Sequence, residues 1–130
     1  RIAAVLDWEM ATLGDPMTDV GLQVMYWARG AAGSLASTPA NAVSALPGFL
    51  TLDEALQRYG EKSGRSMERL DFDIVLAYFK LAVIVEGIYA RFLEGGTVGA
   101  GFEGTGEQAR GLAVSGLAVA DRSPMTKLRG

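Results

Sequence analysis

The sequence predicts a mostly α-helical fold with one short strand at the amino terminus. Apolar residues recur at helical spacing in several separate segments, and Gly and Pro clusters punctuate them. Only the run at residues 2–6, Ile-Ala-Ala-Val-Leu, reads as a buried strand. It has no partner nearby in sequence, so the chain is expected to begin in the middle of a larger fold. One core is the default for 130 residues, and a hydrophobic fraction of 49% is enough to fill it.

Gly14-Asp15-Pro16 opens the first helix. The Asp15 carboxylate suits the N-cap, and Pro16 at the first helical position loses nothing by lacking an N–H. Met17 leads into a stripe of Val20, Val24 and Trp27, and Gly30 is placed as the helix stop. Residues 31–50, rich in Gly, Ala, Ser and Pro, read as a loop with a short helical turn about residues 40–46. Thr51 and Glu54 have capping-box spacing, and the helix after them is expected to bury Leu52, Ala55, Leu56 and Tyr59 before stopping near Gly64.

Asp71 is placed as the cap of the longest helix, residues 72–94. Phe72, Val75, Phe79, Val83 and Tyr89, with Leu76, Leu81, Ile84 and Ile88 beside them, cover much of its circumference. So wide an apolar surface predicts burial on several sides. Gly95-Gly96 ends that helix, residues 97–106 read as a flexible loop, and a last helix spans residues 107–121 with Leu112 and Leu117 on its face. Ser123-Pro124 begins a basic tail expected to fray, with Lys127 and Arg129 in solvent.

The net charge of −3 leaves no basic footprint for nucleic acid and no polybasic face for a membrane. Without Cys or His, the chain holds no thiolate nucleophile, disulfide framework, Cys/His zinc site or Ser-His-Asp triad. The most apolar stretch, residues 74–85, is interrupted by Lys80 and falls short of the roughly 20 residues a bilayer requires. No targeting segment is visible, so a cytoplasmic location is expected.

The informative segment is residues 5–20, Val-Leu-Asp-Trp-Glu-Met-Ala-Thr-Leu-Gly-Asp-Pro-Met-Thr-Asp-Val. Asp7 follows an apolar strand, where a side chain leaves the sheet for a cleft and a carboxylate is placed to hold a hard cation. Such a residue also serves commonly as a solvated turn cap. Glu9, two residues on, would share its side in an extended backbone.

The whole string resembles the metal-site segment of the aminoglycoside phosphotransferase family, with its Asp-Trp or Asp-Phe pair followed by a Gly-Asp-Pro-x-x-Asp-Leu-like helix start. Val20 stands where Leu is commoner. Residues 52–64 and 72–93, including Ala82-Val83-Ile84 and Gly87-Ile88-Tyr89-Ala90-Arg91, resemble the helical substrate lobe of the subgroup associated with acyl-CoA dehydrogenases. The resemblance implies that residues 1–130 are the carboxy-terminal helical lobe of a protein-kinase-like α+β fold.

It further implies that Asp7 is a Mg²⁺ ligand serving ATP and that Asp19 supports the catalytic loop, unless Asp19 is simply a first-turn carboxylate favoured by the helix dipole. Asp15 remains a helix cap, and Glu9 is a candidate for a second metal or the substrate. The family's His-Gly-Asp run and later Asn are absent, as is the nucleotide-binding lobe. The catalytic base and Asn are therefore expected upstream, and the isolated chain is expected to be inactive. The implied reaction is ATP-dependent phosphorylation of a small-molecule hydroxyl, with a hydroxyacyl-CoA favoured over an aminoglycoside-like acceptor.

Tyr78, Tyr89 and Arg91 could line the acceptor pocket or be core and rim residues at helical spacing. The Gly-rich run at residues 95–101 lacks a following Gly-Lys-Ser/Thr and follows a helix, so it fails as a phosphate-binding P-loop. The rival reading is a non-catalytic helical protein-interaction module, with a homodimer formed through the exposed strand edge. An Asp7 buried in an ion pair would favour that rival.

Overall fold

The computed structural model describes residues 2–31, 44 and 46–129, and its architecture is four helices with short 3-10 turns at Trp8–Met10 and Thr126–Leu128. Residues 2–6 form neither helix nor ladder. A strand exists only by pairing, and no strand is present among the described residues to pair with it, so the expected strand edge is not formed. The mostly helical class holds.

Helix α1 spans Met17–Ala31. Asp15 Oδ1 accepts from the Met17 N–H at 3.0 Å, and the Pro16 carbonyl accepts from Asp19 and Val20 at 3.1 and 3.3 Å. The helix passes through Gly30 instead of stopping there. Its buried face is Met17, Gly21, Val24 and Met25, with Val20 and Trp27 only half-buried. Most of the turn expected about residues 40–46 lies outside the described residues.

Helix α2, Leu52–Ser63, opens with the full capping box: Thr51 Oγ1 accepts from the Glu54 N–H at 3.2 Å, and Glu54 Oε2 accepts from the Thr51 N–H at 2.7 Å. The Thr51 N–H bond, with a second from the Thr51 hydroxyl to the same Oε2 at 2.8 Å, holds the Glu54 carboxyl below its usual value. Gly64, at φ +66°, ends the helix in the left-handed conformation. None of its residues is fully buried, so Leu52, Ala55, Leu56 and Tyr59 form a half-covered face and not the expected core face.

Helix α3, Leu70–Leu93, is central, with α1 and α4 (Thr105–Arg122) packed against it. Two apolar stripes compete on α3, and helical period alone does not choose between them. The buried one is Ala77, Tyr78 and Val85, with Ile74, Leu81 and Ala82 packed beside it. The expected apolar surface divides: Val75, Leu76, Leu81, Ile88 and Tyr89 are half-buried, whereas Phe79 is 63% exposed and Phe72, Val83 and Ile84 are exposed too. Small residues decide the choice, because they let backbones approach. A Cβ on Gly21 would lie 2.5 Å from the Asp73 carbonyl carbon, one on Gly116 3.0 Å from Tyr78 Cβ, and one on Gly106 2.7 Å from the Tyr89 ring.

Met25, Ala109 and Leu112 complete the core, while Leu117, expected to face it, is 65% exposed. Asp71 lies inside the first turn of α3 and does not cap it; Arg69 holds the N-cap position, its guanidinium 5.2 Å from the Phe72 ring centroid. The Asp71 carboxylate instead accepts from buried Ser123 Oγ at 2.7 Å. That bond anchors the end of α4 to the start of α3, so the tail does not simply fray.

Candidate functional site

Asp7 has φ +53° and is the one non-glycine residue at positive φ among the described residues. Left-handed backbone costs an L-residue about 1–2 kcal/mol, and Asp tolerates it better than most because its short polar side chain can bond locally. The conformation turns the chain from residues 2–6 into the 3-10 turn, which the Ala11 N–H closes on the Trp8 carbonyl at 3.0 Å. Asp7 is exposed and makes no hydrogen bond or ion pair among the described residues. Glu9 is exposed within the turn, and because the backbone there is not extended, the same-side alignment with Asp7 does not apply.

Among the described residues, no three Asp or Glu side chains gather into a metal cage. Mg²⁺ at nucleotide sites commonly takes one or two carboxylates and completes its shell with phosphates and water. A free, exposed Asp7 carboxylate fits one such ligand position. The described residues supply no more of the shell.

Asp19 lies in the first turn of α1 with its carboxylate exposed, where the helix dipole favours it. Sequence reasoning missed Asp73, which is only 3% exposed on α3 and sits against the Gly21 backbone. Burial raises its pKa above the ordinary 3.8, repulsion from Asp15 adds to that, and the Arg69 charge partly offsets both. The available signal was the helix-interior Gly21, since such a glycine is costly unless something packs on it.

Of the three candidate pocket residues, Arg91 is the one that lines the pocket found among the described residues. Tyr78 is buried between α3 and α4. Tyr89 is half-buried against Gly106 and stacks on Phe92 at 6.3 Å. Arg91 lines a pocket of about 270 Å³ with Ile88, Gly96, Thr97, Val98 and Phe102. A Schellman turn builds its wall: Gly95, at φ +71°, donates to the Phe92 carbonyl and Gly96 to the Arg91 carbonyl, both at 2.9 Å. Phe102 stacks on Phe92 at 6.5 Å and holds the returning loop against α3. The Gly-rich run thus serves as a pocket rim.

A free carboxylate at a left-handed turn, ahead of a capped helix and a helical bundle, defines a helical lobe carrying an acidic motif. The family model for the phosphotransferase enzyme family matches residues 1–61. The chain is 31% identical over 134 residues to acyl-CoA dehydrogenase family member 11 of Mus musculus, covering 97% of this chain and 16% of that protein. The protein of the same name from Gallus gallus is 29% identical, covering 99% of this chain and 17% of its own length. Probable acyl-CoA dehydrogenase IBR3 of Arabidopsis thaliana is 30% identical over 90% of this chain and 15% of its own length. No solved structure matches. These similarities support an aminoglycoside-phosphotransferase-like family and an association with acyl-CoA dehydrogenases. The chain spans about one sixth of the length of these relatives.

Proposed function

We propose that residues 1–130 are the acceptor-side helical lobe of an ATP-dependent phosphotransferase that phosphorylates a hydroxyl on a small molecule. One observation carries the reading: the Asp7-to-Val20 string lies within the segment matched by the phosphotransferase family model, and Asp7 is free and exposed. In this reading Asp7 is a ligand for Mg²⁺, which offsets phosphate charge when bound. Asp15 fixes the start of α1, and the exposed Asp19 carboxylate on that helix is available to hold the backbone of a catalytic loop. Helix α3 and the loop after it shape the acceptor side, and a hydroxyacyl-CoA is the favoured acceptor over an aminoglycoside-like one.

Phosphoryl transfer depends on positioning and charge stabilisation together, so a lobe with one metal-ligand aspartate and without the catalytic base and phosphate clamp gives no turnover. The test is phosphate transfer from ATP to small hydroxyl acceptors. The 130-residue chain should show none, and a longer protein carrying it behind a nucleotide-binding lobe should show it. Robust Mg²⁺-dependent transfer by the 130 residues alone would overturn the division of labour.

One observation favours a second reading, a helical interaction module: Phe79, Val83 and Ile84 on α3 lie open to solvent. Asp7 separates the two. That reading is favoured by an Asp7 locked in a buried ion pair, and Asp7 here is exposed and unpaired among the described residues.

A further inference from the structure

We propose that the pocket at the end of α3 binds the anionic head of a small amphipathic ligand, a carboxylate or phosphate on a short apolar chain. Its lining divides cleanly. Arg91 is the one charged residue there, Thr97 adds a hydroxyl, and Ile88, Val98 and Phe102 are apolar. No acid lines it, and the one ion pair among the described residues joins Arg110 to Glu107, leaving the Arg91 guanidinium free. A guanidinium presents a fork of donors that matches two anionic oxygens.

The surroundings restrict where Arg91 can reach. The Schellman turn brings Gly96 against its stem, where a Cβ would stand 3.1 Å from Arg91 Cγ. Val98 is 97% exposed, an apolar side chain at the pocket mouth with nothing over it. A ligand whose head meets Arg91 and whose chain runs under Val98 would cover both. The volume, about 270 Å³, is just below the roughly 300 Å³ at which small-molecule sites begin, so it selects a compact head and a short chain.

This inference deepens the acceptor half of the proposed function and rests on it for biological meaning. Binding itself needs neither Asp7 nor ATP, so the two ideas fail separately. The experiment is an NMR titration of the 130-residue chain, following backbone amides, with hexanoate, hexyl phosphate, inorganic phosphate and 1-hexanol as probes. Saturable shifts at Gly96, Thr97, Val98 and Phe102 are expected with hexanoate or hexyl phosphate, and the tighter of the two identifies the head group. Inorganic phosphate and hexanol should bind at least about tenfold more weakly, because each lacks one half of the ligand.

Arg91→Gln should weaken hexanoate and hexyl phosphate by about tenfold or more, and Arg91→Lys by less, since an ammonium keeps the charge but not the fork. Asp7→Asn should leave binding unchanged. Equal binding of hexanol and hexanoate, indifference to Arg91→Gln, or no saturable shift at these amides would each overturn the proposal. Arg91 would then be only a cation favoured by the helix terminus.

Discussion

Asp73 is buried on α3, against Gly21 and within reach of the Asp15 charge, so its carboxyl holds its proton more tightly folded than unfolded. Between pH 3.8 and the raised folded value, the folded state carries more protons, and stability falls as pH rises through that window. Asp73→Asn removes that contribution. Urea unfolding across the acid-to-neutral range should show a smaller fall with rising pH in the variant than in the parent. Identical pH dependence would mean that Asp73 is not the source. Glu54 works in the opposite sense: its lowered carboxyl adds stability above pH 4.5, lost as pH falls through the folded value, so only the difference between parent and variant isolates Asp73. Ser123→Ala removes the hydrogen bond to Asp71 and should cost about 1 kcal/mol in the same assay.

Glycine inside a helix normally costs about 1 kcal/mol relative to alanine, so its replacement tests packing by sign. Gly111 of α4 has nothing within 4 Å of an added Cβ, and Gly111→Ala should stabilise by up to about 1 kcal/mol. Gly21→Ala meets the Asp73 backbone, which cannot rotate away, so α1 and α3 must separate, a loss of about 1–3 kcal/mol. Thermal melts of the two variants should shift in opposite directions. These elements also mark how much was legible beforehand. The Asp15 cap, the Thr51–Glu54 box and the Gly64 stop are local chemistry, readable from neighbouring residues. Choosing between the Phe79 and Ala77 faces of α3 was not, because both are apolar and the choice rests on which neighbour has a glycine opposite. The same limit hid Asp73 and left Arg91 among three equal candidates, since only the turn after α3 brings residues 96–98 back over it.

The described residues show a core shared by α1, α3 and α4, and apolar side chains left open at Leu6, Trp8, Phe79 and Val83. Because Phe79 is mostly exposed, Phe79→Glu should change the stability of the 130-residue chain by no more than about 0.5 kcal/mol, whereas Val85→Glu, in the core, should prevent folding. Among the described residues, no helix is long and apolar enough to cross a membrane. The acidic motif and its free carboxylate precede α1 in the chain, and its function depends on whether Asp7 takes part in phosphate transfer. The deciding measurement is steady-state phosphate transfer by a longer protein carrying this chain behind a nucleotide-binding lobe, parent against Asp7→Asn. The expected result is a fall in kcat of about 100-fold or more with unchanged helical content. Asp7→Asn turnover within a few-fold of the parent would contradict the metal-ligand role and leave the helical interaction module as the better account.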